Sequence, residues 1–295
     1  DMAERAAELV AEAHQKMKPG FLGLFKKVDE GAELFEKAAG QYKLAKLLKE
    51  AAETYLLAAS AYKEADDSTK SRNCYIDAAK CYKKTSPSEA IRLFKIATIM
   101  HTEANQLASA AKIYKEIGEL CEEEHDVKGA IEAYSQAADC YTAEDQTTSG
   151  NQCLILVANL SATVEDYRRA IVIYEDVATA SLDNKLLQWS AKTYYFQAIL
   201  CHLALSASGS SGLSGADEAI TRYKNAYAAF ETSRECKFCE QLCEAIAQGD
   251  IEKFQDAVFD FDNISKLDAW KTSILLQIKK SIHKATSEVG DVDLT

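Results

Sequence analysis

An aromatic residue recurs about every twenty positions through most of this chain. Phe35, Tyr55, Tyr75, Phe94, Tyr114 and Tyr134 keep that spacing to within about a residue; after a slot filled by Leu154 or Ile155 it resumes at Tyr174 and Tyr194. Several belong to one local pattern: Phe35-Ala38-Ala39-Tyr42, Tyr55-Ala58-Ala59-Tyr62, Tyr75-Ala78-Ala79-Tyr82 and Tyr134-Ala137-Ala138-Tyr141. Offsets of three, four and seven put all four residues on one helix face. The small pair lets a neighbouring helix approach closely, and the aromatics fill the gaps beside it. A helix and a turn every twenty residues make a helical hairpin every forty.

That period belongs to tetratricopeptide-like solenoids, in which each hairpin packs on its neighbours. With only two prolines, Pro19 and Pro87, and twelve glycines, helices are rarely interrupted. The expected fold is therefore all-α. The pattern predicts helices at about 2–18, 29–46, 48–65, 68–84, 87–104, 107–123, 127–143, 147–163, 167–181 and 186–206. Ser86 before Pro87, with Glu89 three residues after Ser86, reads as a helix start. Residues 206–215 are Ser/Gly-rich and read as a hairpin tip; they lack the Lys-Ser/Thr close and preceding strand of a phosphate loop. One more helix is expected at 216–231. The aromatic ruler then stops, and 233–248, 250–263 and 267–286 read as a bundle capping the solenoid. Two domains follow: a solenoid over 1–232, with a loop at 20–27, and a C-terminal bundle over 233–295. The tail from Ser287 carries no helical pattern.

The formal net charge of −12 disfavours nucleic acid, whose phosphates need a concentrated basic surface. Nine cysteines, mostly on apolar helix positions, read as free thiols packed as small hydrophobes. Cys236, Cys239 and Cys243 share one helix face without a nearby His, which suits packing better than metal. His14, His101, His125, His202 and His283 are dispersed, and no nucleophile–base pair stands out. No catalytic residue, cofactor or metal is expected. Reduced thiols, with no export signal or apolar span, point to the cytosol. The opening Asp1-Met2 reads as an edge, with a few native residues expected upstream.

One segment stands apart. The only charges in 16–27 are Lys16, Lys18, Lys26 and Lys27, and between them stand Phe21, Leu22, Leu24 and Phe25 after Pro19-Gly20. Four large apolar residues beside glycines make poor helix and poor core. Ringed by lysine, they suit contact with an anionic bilayer surface better than a loop folded onto the solenoid.

Longer stretches carry a specific likeness: Gly20-Phe21-Leu22-Gly23-Leu24-Phe25, Leu186-Leu187-Gln188-Trp189-Ser190-Ala191-Lys192 and Ser233-Arg234-Glu235-Cys236. Further on come Phe261-Asp262-Asn263-Ile264-Ser265-Lys266-Leu267-Asp268-Ala269-Trp270-Lys271, Ile278-Lys279-Lys280 and a final Asp293-Leu294. In these, and over nearly its whole length, the chain resembles the soluble attachment proteins for N-ethylmaleimide-sensitive factor. The resemblance implies an adaptor, not an enzyme. It implies binding to the four-helix bundle of spent SNARE fusion proteins and recruitment of a hexameric AAA+ ATPase that pulls the bundle apart. It also implies a peripheral membrane protein, monomeric alone and present in several copies in the complex.

Carried over position by position, the resemblance gives Lys83, Lys84, Lys112, Lys192 and Arg234 to the SNARE-facing concave side, with Leu187 as an apolar contact. It gives Phe21, Leu22, Leu24, Phe25, Lys26 and Lys27 to the membrane. It gives Glu244, Asp250, Glu252, Asp291 and Asp293 to basic grooves on the ATPase, and Leu294 to stimulation of ATP hydrolysis. This chain also departs from the family: Gln106, Gln152 and Leu156 stand where basic residues are common, the 206–215 segment is longer, and the tail has fewer acids. Two other classes remain open: a tetratricopeptide scaffold for peptide tails, though its Trp-x2-Leu-Gly signature and closing proline are missing, and an enzyme built on a helical array, such as a prenyltransferase subunit.

Overall fold

The computed structural model describes residues 1–18, 27–207 and 213–292, the last ten as backbone. Among these residues there are fifteen α-helices and no strand. They are α1 (Met2–Met17), α2 (Val28–Leu44), α3 (Leu48–Glu64), α4 (Ser68–Tyr82), α5 (Pro87–Glu103), α6 (Leu107–Glu123), α7 (Val127–Ala143) and α8 (Thr147–Thr163). Then follow α9 (Tyr167–Leu182), α10 (Gln188–Ala207), α11 (Ser214–Ala226), α12 (Ala228–Glu231), α13 (Arg234–Gln248), α14 (Ile251–Ile264) and α15 (Ala269–Val292). The chain divides into two compact units, Asp1–Cys153 and Leu154–Thr295.

One three-residue turn recurs between helices. Its central residue is left-handed: Lys46, Asp66, Asn105, His125, Asp145 and Glu165, with φ between 53° and 63°. The third residue then donates its N–H to a carbonyl five positions back, as in Leu47 to Tyr42 at 3.0 Å, Gln106 to His101 at 2.9 Å and Asp166 to Ser161 at 2.9 Å. This bond satisfies a carbonyl that the ending helix would otherwise orphan. The same third residue starts the next helix: the carboxylates of Asp67, Asp126 and Asp166 accept from the N–H of Lys70, Gly129 and Arg169. So one unit ends a helix, reverses the chain and begins the next helix.

The turn carries strain where its residue type is wrong. Asp, Asn and His tolerate left-handed backbone best; Lys46 and Glu165 do not share that tolerance. Glu165→Gly is expected to stabilise the chain by about 0.5–1 kcal/mol, read as a higher urea midpoint, with no such gain from Glu165→Ala. A lower midpoint for the glycine variant would refute the strain. The α4–α5 link differs, because it is four residues long. The expected Ser86 cap is not made: its hydroxyl donates and accepts no capping bond, and Pro87 in the first turn sets the helix start through its fixed φ.

In the first unit, successive helices from α1 to α7 pack each on the next. The small pairs lie at these contacts: Ala38, Ala39, Ala58, Ala59, Ala78, Ala79, Ala137 and Ala138 are all buried. Tyr62 and Tyr134 bury their rings, and each hydroxyl donates to a carboxylate on the preceding helix, Glu36 at 2.6 Å and Glu122 at 2.5 Å. Helices α6 and α7 approach closely, so that a Cβ on Gly118 would meet a Tyr134 ring carbon at 2.6 Å. Tyr42, Tyr75 and Tyr82 are only half-buried.

The second unit is organised differently. Helix α10 is buried without a break from Tyr195 to Cys201, and α9, α11, α13 and α15 pack around it. Tyr195 stacks on Tyr223 at 4.2 Å, and Phe238 on Phe261 at 4.4 Å. Trp270 Nε1 donates to the Asn159 carbonyl at 3.2 Å. Cys236, Cys239 and Cys243 pack into this core, and burial pushes the Cys243 thiol up to about 12. The carboxylate of Glu175 on α9 gathers the Tyr223 hydroxyl and Arg222 from α11, with His202 Nε2 of α10 at 3.5 Å. Burial raises the Glu175 pKa, but these donors outweigh it and hold the group below its ordinary value.

Two elements differ from the sequence expectation. The helix expected over 216–231 breaks at Tyr227, which is extended (φ −145°, ψ 98°). In an unbroken helix Tyr223 and Phe230 would be about 10 Å apart along the axis; the break brings their rings to 6.3 Å, with Phe230 fully buried. Helix α15 continues to Val292 rather than ending near 286. Gly290 is the one breaker in that stretch, and a single glycine costs a helix only about 1 kcal/mol.

Candidate functional site

In the first unit, Lys83 in the α4–α5 turn pairs with Glu116 of α6 at 3.4 Å. Lys112 lies four residues before Glu116, so this bridge sets Lys83 beside the α6 face that bears Lys112. Lys84 and Lys112 are exposed and form no ion pair among the described residues. Three of the expected basic residues are thus gathered on neighbouring elements. Gln106, at one of the positions departing from the family, is engaged elsewhere: its Oε1 lies 2.9 Å from His101 Nδ1. Gln152 is exposed and Leu156 half-buried.

In the second unit, Lys192 on the second turn of α10 pairs with Glu235 at 3.4 Å. Glu235 follows Arg234, which opens α13 after the Ser233 cap. This pair therefore brings Lys192 and exposed Arg234 to one place. Leu187 is half-buried, whereas the adjacent Leu186 is 81% exposed and Trp189 is 70% exposed. Those two are the apolar side chains offered to solvent here, and sequence reasoning chose their neighbour. Nothing local distinguishes Leu186 from Leu187; the turn geometry does, with the Leu186 N–H held by Asn184 Oδ1 at 3.0 Å.

The acids near the C-terminus are dispersed. Glu244 is exposed, 3.6 Å from Lys253, and Glu252 is exposed. Asp250 is used structurally, capping α14 through the Lys253 N–H at 3.0 Å. Asp291 lies on the last turn of α15. Asp293 and Leu294 fall outside the described residues, as do Phe21, Leu22, Leu24, Phe25 and Lys26. The base of that N-terminal segment is described. The Lys27 N–H donates to the Lys16 carbonyl at 3.2 Å, and Lys16 and Lys27 both clamp Glu30 at 2.8 Å. These two hydrogen-bonded lysines hold the Glu30 carboxyl down at about 2. Two of the four lysines around the apolar residues are thus already paired.

The family model described as "Soluble NSF attachment protein, SNAP" matches residues 4–283. The chain belongs to the soluble NSF attachment protein family. Among curated SNAP relatives, the alpha-soluble NSF attachment protein of Dictyostelium discoideum is 42% identical, covering 68% of this chain and 67% of its own. The alpha-soluble NSF attachment protein of Mus musculus is 37% identical and covers 94% of each chain. A protein of Schizosaccharomyces pombe named as a probable vesicular-fusion protein sec17 homolog is 34% identical, over 89% of this chain and 90% of its own. For this SNAP-family chain, no helix of the described residues is long and apolar enough to cross a membrane.

Proposed function

We propose that this chain is an adaptor that binds assembled SNARE bundles and recruits and stimulates the AAA+ ATPase N-ethylmaleimide-sensitive factor. It would serve SNARE recycling in vesicle fusion and intracellular protein transport, at the cytosolic face of membranes and without chemistry of its own. The observation that carries this reading is basic character concentrated at two places on a chain of net charge −12: Lys83, Lys84 and Lys112 in one unit, Lys192 and Arg234 in the other. A SNARE bundle presenting acidic helix faces would complement them. Leu186 and Trp189 add exposed apolar area close in sequence to Lys192, and an exposed aromatic suits an interface anchor. Residues 1–232 would hold the bundle and touch the membrane, and 233–295 would meet the ATPase through Glu244, Asp250, Glu252, Asp291, Asp293 and Leu294. Capture of SNARE bundle and ATPase by the purified chain, followed by a disassembly assay, tests the reading. Absence of ATP-dependent disassembly would remove it.

The two activities separate along the chain. A truncation ending before Asp291 is expected to keep SNARE binding but to lose ATPase stimulation. A short tail adds little to a folded interface, yet biases a distant machine if it binds one of its states better. Full disassembly by the truncated chain would contradict this assignment.

A further inference from the structure

A cavity of about 580 Å³ lies between α14 and α15 and takes in Leu267 from the link between them. Its apolar lining is Phe254, Val258, Phe259, Leu267, Leu275 and Leu276. On α15 the buried stripe is Ile274, Leu275, Ile278 and Ile282, and on α14 it is Phe254 and Ala257. Leu276 and Phe259 stand off these stripes, 50% and 65% exposed, and line the same cavity. Three charged side chains complete it: Asp262, Lys266 and Lys279. Asp262 is already satisfied, since its carboxylate accepts from the Leu267 N–H at 2.8 Å and from Lys266 Nζ at 2.7 Å. These bonds, the backbone one first, hold its carboxyl below its ordinary value, so the Asp262–Lys266 pair stays ionised and neutral overall. Lys279 is half-buried and forms no ion pair among the described residues. The lining therefore keeps one uncommitted positive charge, on a chain of net charge −12.

We propose that this cavity binds a single-chain amphipathic carboxylate of the free fatty acid class, its chain against Phe259 and Leu276 and its head at Lys279. Burial favours an apolar chain that covers the walls, and the ammonium selects an anionic head over a neutral one. The volume falls within the range of small-molecule sites, about 300–1,000 Å³. A protein partner fits less well, because a stable interface covers about 800 Å² on each side and one aromatic supplies only about 150–250 Å². A membrane surface also fits less well, because it is met by clusters of lysine and not by a single one. The site shares no residue with the acids assigned to the ATPase.

The test is titration calorimetry of the full chain with decanoate below its micelle concentration, and with decanol as the uncharged counterpart. Decanoate is expected to bind more tightly than decanol. Lys279→Met should weaken decanoate about tenfold and leave decanol unchanged. Phe259→Ala, which removes a largely exposed ring, should weaken both by similar factors. If either variant misfolds, the parent still decides: decanoate carrying a diazirine at its chain end is expected to label peptides from 254–276. Equal decanoate affinity in parent and Lys279→Met would overturn the site, as would labelling confined to other peptides. Binding seen only with carboxylate held in phosphatidylcholine vesicles would assign the contact to a membrane. Dimers lost in Leu276→Asp would assign the cavity to a second copy of the chain. Either result ends the proposal.

Discussion

Lys112→Glu combined with Lys192→Glu is expected to abolish SNARE-bundle binding while helicity and unfolding temperature stay near those of the parent. Lys112 is exposed and forms no ion pair among the described residues, so reversing it breaks no ion pair there. Lys192 shares a 3.4 Å pair with Glu235, so its reversal also turns a local attraction into repulsion beside Arg234. Each exposed pair with a partner is worth only about 0–1 kcal/mol. Single changes should therefore be mild, and the double change, which reverses charge at both basic places, large. Binding of the parent should weaken with salt, as the Debye length falls from about 10 Å at 0.1 M to about 3 Å at 1 M. Affinity unchanged in the double variant at low salt would sink the electrostatic account.

The helices were readable because their signal is local. Offsets of three, four and seven around Ala58-Ala59 or Ala137-Ala138 need only two turns of helix to have meaning, and those alanines are buried. The turns were half readable. Asp67, Asp126 and Asp166 are ordinary N-caps, but a left-handed Lys46 or Glu165 carries no sequence signature, because the flanking helices impose it. The break at Tyr227 was hidden for a similar reason. It has no proline or glycine to announce it, and follows from burying Phe230 against Tyr223 and Tyr195.

The candidate sites show the same division. That lysines stand at 83, 112 and 192 is sequence; that two of them are held by Glu116 and Glu235 depends on helices that meet only in the fold. Leu186 and Leu187 are equivalent on paper, and only the turn before α10 exposes one and half-buries the other. Gln106 reads as a lost cation until its contact with His101 gives it a local partner.

The N-terminal segment gives the sharpest contrast between two substrates. Phe21→Ser with Phe25→Ser is expected to slow disassembly of liposome-bound SNARE complexes severely and to leave soluble complexes almost unaffected. The segment's base is tied by the Lys27–Lys16 backbone bond and the shared Glu30 clamp, so the substitutions fall beyond a fixed anchor. Full burial of one large apolar side chain is worth about 1.5–3 kcal/mol, and a loop tip inserts only part of each. A nearby lysine adds about 1 kcal/mol on an anionic surface, but Lys16 and Lys27 are already committed to Glu30. One chain alone should therefore bind vesicles weakly and reversibly. The contact gains force once the same chain holds a membrane-anchored bundle, because the second binding event is then intramolecular and its effective concentration high. Soluble complexes offer no such second contact, so the variant has nothing to lose on them. Equal loss on both substrates would place these residues in the SNARE contact or the core, and end the membrane reading.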